Sequence, residues 1–221
     1  MATPDSPRDR LLVAAREVLD KEGLEGLSLR AIARQAGVSH GAPLRHFPTL
    51  AALLAALAAQ GFARLVDAVD AAIADAAAAA AAEGRDLAAV DRLAVAGDAY
   101  VDVAVADPGV FSITFRPERC DVADPDYRRQ AMRSFGQLVD LVEAAQAEGW
   151  HPHEPSRLAA VVLWANVHGT AELLLHGGLT AAIEPAGLDD LRAVSRRLFF
   201  GRLDGGAERG VRPDLDPGRI S

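Results

Sequence analysis

With 221 residues, half of them hydrophobic, the chain has apolar mass for one large domain or for a small domain fused to a larger one. Aromatic residues make up only 5% while Ala and Leu dominate, which favours helices over sheets. A single cysteine, Cys120, excludes an intrachain disulfide, and a formal charge of -8 argues against a uniformly basic nucleic-acid binder.

The charge is unevenly distributed. Residues 1–50 carry seven basic and six acidic side chains, a net of +1, and the remainder carries a net of -9. The N-terminal fifth alone can approach a polyanion without strong repulsion. The acidic surplus elsewhere reads as a solvated surface, with a cationic ligand as the alternative reading. The stretch "MATPDSPRDR" is polar and has no secretory pattern, and the apolar run from Leu50 to Phe62 is too short to span a bilayer. The expectation is a cytoplasmic protein without membrane contact.

Residues 8–22 predict an amphipathic helix, with Leu11, Leu12, Ala15, Val18 and Leu19 on one face and Gly23 as its stop. Ser28 is an N-cap candidate for a second helix over 28–36, whose stripe is Leu29, Ile32, Ala33 and Ala36. Gly37 ends it in a left-handed conformation. Ser39 is the next N-cap candidate, for a short third helix from His40 to about Phe47, stopped by Pro48. A long helix follows from Thr49 to about Ala82; its Ala tract, 76–82, has few anchors and is expected to fray or overhang. Further helices are expected at 87–106, 109–115, 124–148, 155–176 and 188–200. Gly, Pro, Asp and Arg crowd 201–221, which reads as a disordered tail. No alternating strand pattern and no fixed-period repeat is present, so the expected fold class is all-α.

The stretch "GVSHGAPLRHF", 37–47, gives this order its function. Behind the helix 28–36 it completes a helix, a Gly turn and a second short helix, the layout of a helix-turn-helix. In such a motif the second helix enters the major groove. Val38 and Phe47 are expected to pack inward, leaving Ser39, His40, Gly41 and Arg45 outward. A generic corner between two helices has the same spacing.

Residues 8–54 resemble the N-terminal domain of the TetR/AcrR family of bacterial repressors, through "LLVAAREVLDKEGLEGLSLRAIARQAGVS", "APLRHF" and "PTLAALLAALA". The resemblance implies a helix-turn-helix over about 28–47, within a three-helix DNA-binding domain, 1–48. It also implies a larger helical effector-binding and dimerisation domain, 49–200. The candidate DNA-facing residues are Ser28, Arg30, Ser39, His40, Gly41, Leu44, Arg45 and His46. Two positions depart from the family: Leu44 stands where an aromatic is usual, and Leu50 where Lys is usual. Both usual residues commonly contact phosphate. "VLWANVHGTAELLLHGG" is similar to a subgroup named for a Trp and a His-Gly pair, matched here by Trp164, His168 and Gly169.

These resemblances imply a homodimer on a palindromic double-stranded DNA operator, released by a small-molecule effector and needing no cofactor. The effector pocket candidates are Tyr100, Phe111, Phe115, Met132, Phe135, Trp164 and His168, each equally compatible with ordinary core. The dimer-interface candidates are Leu158, Val161, Val162, Leu191, Val194 and Leu198. No nucleophile elbow, phosphate loop or dinucleotide fingerprint is present, so no catalytic residue is assigned. "HPHE" at 151–154 is the one candidate metal tract, and its Pro-rich context favours a solvated loop. A helical ligand-binding protein that never touches DNA is the alternative reading.

Overall fold

A computed structural model describes residues 6–39, 41–178 and 187–200. His40 and the stretch 201–221, read above as a tail, lie outside the described residues.

Helix α1, Pro7–Gly26, begins at Ser6, whose Oγ accepts from the Asp9 N–H at 3.1 Å, with Pro7 at the first helical position, where its missing N–H costs nothing. Gly23, at φ +67°, interrupts the helical geometry where the predicted stop falls. Helix α2, Leu29–Gln35, is capped by the Ser28 side chain, which accepts from the Ala31 N–H at 3.1 Å. The chain then runs through a short 3-10 turn, Pro43–Arg45, to α3, Leu50–Ala82, capped by Thr49. Helices α4 (Ala89–Ala106), α5 (Pro108–Thr114), α6 (Pro125–Ala147), α7 (Ser156–Leu175) and α8 (Leu188–Phe200) complete it. The described residues contain no strand, as the all-α expectation requires.

Three departures from the sequence reading have physical causes. The expected third helix, His40 to Phe47, is not an α-helix. Pro43 has no N–H to return to the Ser39 carbonyl, so the Ala42 N–H takes it at 2.9 Å in a tighter turn, and Gly41 adds no helix propensity. The Ala tract, 76–82, remains helical, and Ala80 is fully buried. Two helices, α3 and α7, are long and apolar enough to cross a membrane. The run beginning at Leu50 therefore extends further than its first thirteen residues suggest, but α3 is mostly buried as the central helix of the fold.

Helix α3 joins two cores. Its first turns, Leu53, Leu54 and Leu57, pack with Leu11, Leu12, Val18 and Ile32 of α1 and α2. Further along, Leu65 and Val69 pack with Tyr100, Ala104 and Phe111. At about 1.5 Å per residue, α3 is roughly 50 Å long. Short α5 lies in the angle between α1 and α3, and two glycines allow its approach. A Cβ on Gly109 would stand 2.9 Å from Leu19 Cγ, and one on Gly61 would stand 2.0 Å from Thr114 Oγ1.

The Gly61 contact is open to test. Gly61→Ala should destabilise the protein by about 1–3 kcal/mol, because overpacking outweighs the gain in helix propensity. Adding Thr114→Ala should recover part of that loss. Thermal denaturation of the single and double variants measures both, and an unchanged midpoint for Gly61→Ala would contradict the close approach.

Candidate nucleic-acid interface and ligand cavity

The N-terminal unit of α1, α2 and the 3-10 turn, called the head below, is closed by backbone bonds rather than by a long third helix. Gly37 sits at φ +67°, and the Val38 N–H returns to the Ala33 carbonyl at 3.0 Å, the left-handed closure that ends α2. That bond leaves the Val38 side chain outside, 37% exposed, which corrects its expected inward packing. Phe47 does pack inward, with Arg8 over its ring at 5.1 Å, and Pro43 is buried beside the same core. Ser39, Gly41, Leu44, Arg45 and His46 are exposed, as are Ser28 and Arg30 at the start of α2. Leu44, at 55%, is an unusual apolar side chain to leave in water. Arg45 forms no ion pair among the described residues. Leu50 packs against the head's core, so at this position an apolar side chain has a structural use.

The larger helical part encloses a cavity of about 480 Å³ between α3, α4, α6, α7 and α8. Of the predicted pocket residues, Tyr100, Phe115, Phe135, Trp164 and His168 line it. Two do not. Phe111 is buried behind the wall, its ring centroid 5.0 Å from that of Phe115. Met132 is 74% exposed, because Ala131 and Phe135 hold the inner face of α6 and Met132 falls on the outer one.

One end of the cavity is polar. The Tyr100 hydroxyl lies 2.8 Å from His168 Nδ1 and accepts from Trp164 Nε1 at 3.3 Å. Burial holds the His168 imidazole below its ordinary value of 6.5, against a weaker opposite pull from Glu172. Burial likewise raises the Tyr100 hydroxyl above its usual range. Both groups are therefore neutral near pH 7. Phe115 sits at the crossing of the aromatic side chains, within 4.8 Å of His168, 5.5 Å of Phe62 and 6.1 Å of Trp164, measured between ring centroids.

The sequence reading missed the charged link between cavity and head. Asp107 caps α5, accepting from the Val110 N–H at 3.1 Å, and its Oδ2 meets Arg16 of α1 at 3.0 Å and Arg64 of α3 at 2.8 Å. The signal was present in "DPG", an N-cap followed by Pro at the first helical position. Beside it, Arg119 pairs with Glu25 at 2.9 Å, and the Asp121 N–H donates to the Ala51 carbonyl at 3.0 Å. Also missed were Arg192 and Arg196 of α8, which pair with Asp98 and Asp102 of α4 beside the cavity.

Of the interface candidates, Leu158, Val161 and Val162 on α7 and Val194 and Leu198 on α8 are exposed, Leu198 at 76%. Leu191 is the exception: it lines the cavity. The "HPHE" loop is tied by Gln146, whose side-chain amide donates to the carbonyls of His151 and Glu154 at 3.1 and 2.7 Å. No group of three metal-ligating side chains occurs among the described residues. Cys120 is buried, and its thiol is pushed up to about 11, so it offers little thiolate for redox chemistry.

Residues 11–57 match the family described as bacterial regulatory proteins, tetR family, and residues 93–194 match the tetracyclin repressor-like C-terminal domain. A protein of unknown function from Rhodococcus sp. RHA1 is 34% identical, with 88% of this chain and 93% of that one aligned at a TM-score of 0.72. The chain belongs to the TetR family. A tetR-family regulatory protein from Rhodococcus RHA1 is 26% identical over 75% of this chain and 83% of its own, at a TM-score of 0.53. The transcriptional regulator FadR from Bacillus subtilis, solved in complex with stearoyl-CoA, shares the TetR fold at 17% identity over 87% of this chain and 97% of its own, at a TM-score of 0.58. No curated protein matches the chain. As a TetR-family member the chain is a DNA-binding transcription regulator.

Two measurements test this geometry. Asp107→Asn keeps a capping side chain but removes the charge that both arginines share. It should cost only about 0.5–1 kcal/mol, since the two pairs are partly exposed. Amide exchange along α1 near Arg16 should accelerate while α6 is unaffected; equal protection in both variants would mean that Asp107 does not hold α1. For His168 the unfolded chain binds the proton more readily, so its contribution is complete above 6.5 and is lost as the pH falls from there through the lower folded value. The melting temperature should therefore drop more steeply from about pH 7.5 to about pH 5 in the wild type than in His168→Gln.

Proposed function

We propose that the chain is a homodimeric repressor that binds a palindromic operator and is released by a small molecule held in the cavity. The observation that carries this reading is α5. Its C-terminal Phe115 lines the cavity, its N-terminal Asp107 grips Arg16 and Arg64, and its Gly109 touches α1. A ligand that moves Phe115 acts on both helices that carry the head. FadR of the same fold, solved with stearoyl-CoA, supports the reading of the cavity as an effector site.

In this reading residues 1–48 form the DNA-binding domain and 49–200 the effector and dimer domain. Ser28, Arg30, Ser39, Gly41, Leu44, Arg45 and His46 face the duplex. The exposed apolar side chains of α7 and α8 pair with their mates, and the dimer sets the two heads about 34–36 Å apart to meet successive major grooves. The effector favours a spacing that no longer fits. Linkage requires reciprocity: if the ligand weakens DNA binding, DNA weakens ligand binding by the same factor.

The test is DNA binding itself. Footprinting on the DNA flanking the gene should reveal one palindromic protected site, with binding that weakens as salt rises. Arg45→Ala should lose about 1–3 kcal/mol of operator affinity with the fold intact, if Arg45 is bidentate to a base. Full affinity in that variant would mean that the assigned face does not meet the groove. A protein that binds ligands but protects no DNA would favour the alternative of a helical binding protein.

A further inference from the structure

We propose that the cavity is built for a neutral, largely apolar molecule carrying one oxygen acceptor, and that it rejects both anions and cations. This rests on the reading of the cavity as the effector site and adds the chemical class of the effector.

The walls are mostly apolar, with Phe62, Leu65, Leu138, Leu141, Leu163 and Val167 among them. Among the described residues, the charged groups lining the cavity are Asp98, Arg192 and Arg196, with neutral His168 beside them. These charges are already matched. Arg196 Nε donates to Asp98 Oδ2 at 3.1 Å, and a second nitrogen of the same guanidinium meets the same carboxylate. Arg192 pairs with Asp102 and lies 3.8 Å from Asp98. An anionic head would have to displace a carboxylate from its arginine. A cationic head would face two guanidiniums. Either ion would give up hydration in a largely apolar cavity and find at most the one unpaired N–H described below, which does not repay a full charge.

The aromatic polar trio is closed in the same sense. Glu172 lies 3.9 Å from His168 Nε2, which favours the proton on that nitrogen and leaves Nδ1 as acceptor for the Tyr100 hydroxyl. Trp164 then donates to the Tyr100 oxygen. One donor of a cavity-lining residue remains open: Arg192 Nε is buried and has no acceptor within hydrogen-bond distance among the described residues, Asp98 Oδ1 being 3.8 Å away. A buried N–H without a partner is costly, and a hydroxyl, carbonyl or ester oxygen satisfies it without adding charge. Arg192 belongs to α8, so a ligand bonded there touches the helix that also carries the exposed residues Val194 and Leu198.

Calorimetric titration of the full-length protein with 1-decanol, decanoate and decyltrimethylammonium, each below its micellar concentration, separates the classes. 1-Decanol should bind at least about tenfold more tightly than either ion. Asp98→Asn releases Arg196 from its carboxylate, so decanoate should gain about tenfold relative to 1-decanol measured on the same variant. Arg192→Met, checked for intact helicity by circular dichroism, should weaken 1-decanol by about tenfold. Decanoate binding as tightly as 1-decanol to the wild type would overturn the proposal, and so would the failure of all three probes to bind. If 1-decanol binds as expected but leaves the operator complex intact, the release mechanism fails and the ligand class stands.

Discussion

The Asp107 carboxylate is the interaction on which the rest of the architecture depends. It terminates α4, caps α5 and holds an arginine from each of α1 and α3. Arg16 and Arg64 stand close enough to repel one another: Arg64, after burial, is a cause of the lowered Arg16 value, and Asp107 opposes it. Without the carboxylate, two like charges would face each other where the head meets the larger part. With it, they become a joint. Because the pairs are partly exposed, the joint contributes modestly to stability. Its consequence is geometric: α1 follows α5 as well as α3.

Around that joint the packing is tight on one side and open on the other. Gly61 and Gly109 let α5 press against both neighbours, and Thr114 satisfies its own hydroxyl by donating to the Val110 carbonyl at 2.7 Å. Behind α5 lies the cavity. Phe115 belongs to both regions, packing against the core of the head and against the core around Tyr100. Close-packed regions transmit displacement because they have few voids to absorb it. A displacement of Phe115 is therefore passed to α1 and α3, whereas one on the cavity's far wall meets empty space first.

Much of this was legible in the sequence, and the failures share a cause. Helix boundaries could be read because caps and breakers are local: Gly23, Ser28 and Gly37 act on their own few residues. The head's identity was legible because "LSLRAIARQAGVS" fixes both a cap and an apolar stripe. Illegible were the contacts made at long range. Nothing adjacent to Asp107 in the chain announces Arg16 or Arg64, and the charges of α8 find their partners in α4 about ninety residues away. Rotation about a helix axis was the second source of error. Met132 and Leu191 were placed by residue type, yet one turn of phase puts Met132 in solvent and Leu191 on the cavity. The third helix failed for a local reason that was available: Pro43 and Gly41 in one short segment favour a tight turn over an α-helix.

Helix α8 shows how two of the proposed roles meet in thirteen residues. Leu188, Leu191, Arg192, Ser195 and Phe199 line the cavity, at the three- and four-residue spacing of one helical face. Val194 and Leu198, four residues apart, lie on another face and are exposed. The helix is fastened to α4 by ion pairs and to Trp150 by an indole bond to the Phe199 carbonyl at 3.1 Å, so it stands on polar contacts rather than on a deep core. Such contacts tolerate small shifts better than interdigitated apolar packing does. If Val194 and Leu198 meet a second copy, then whatever fills the cavity presses on the back of the dimer contact as well as on Phe115. The head would then be set from two directions, through α5 within one protomer and through α8 between two.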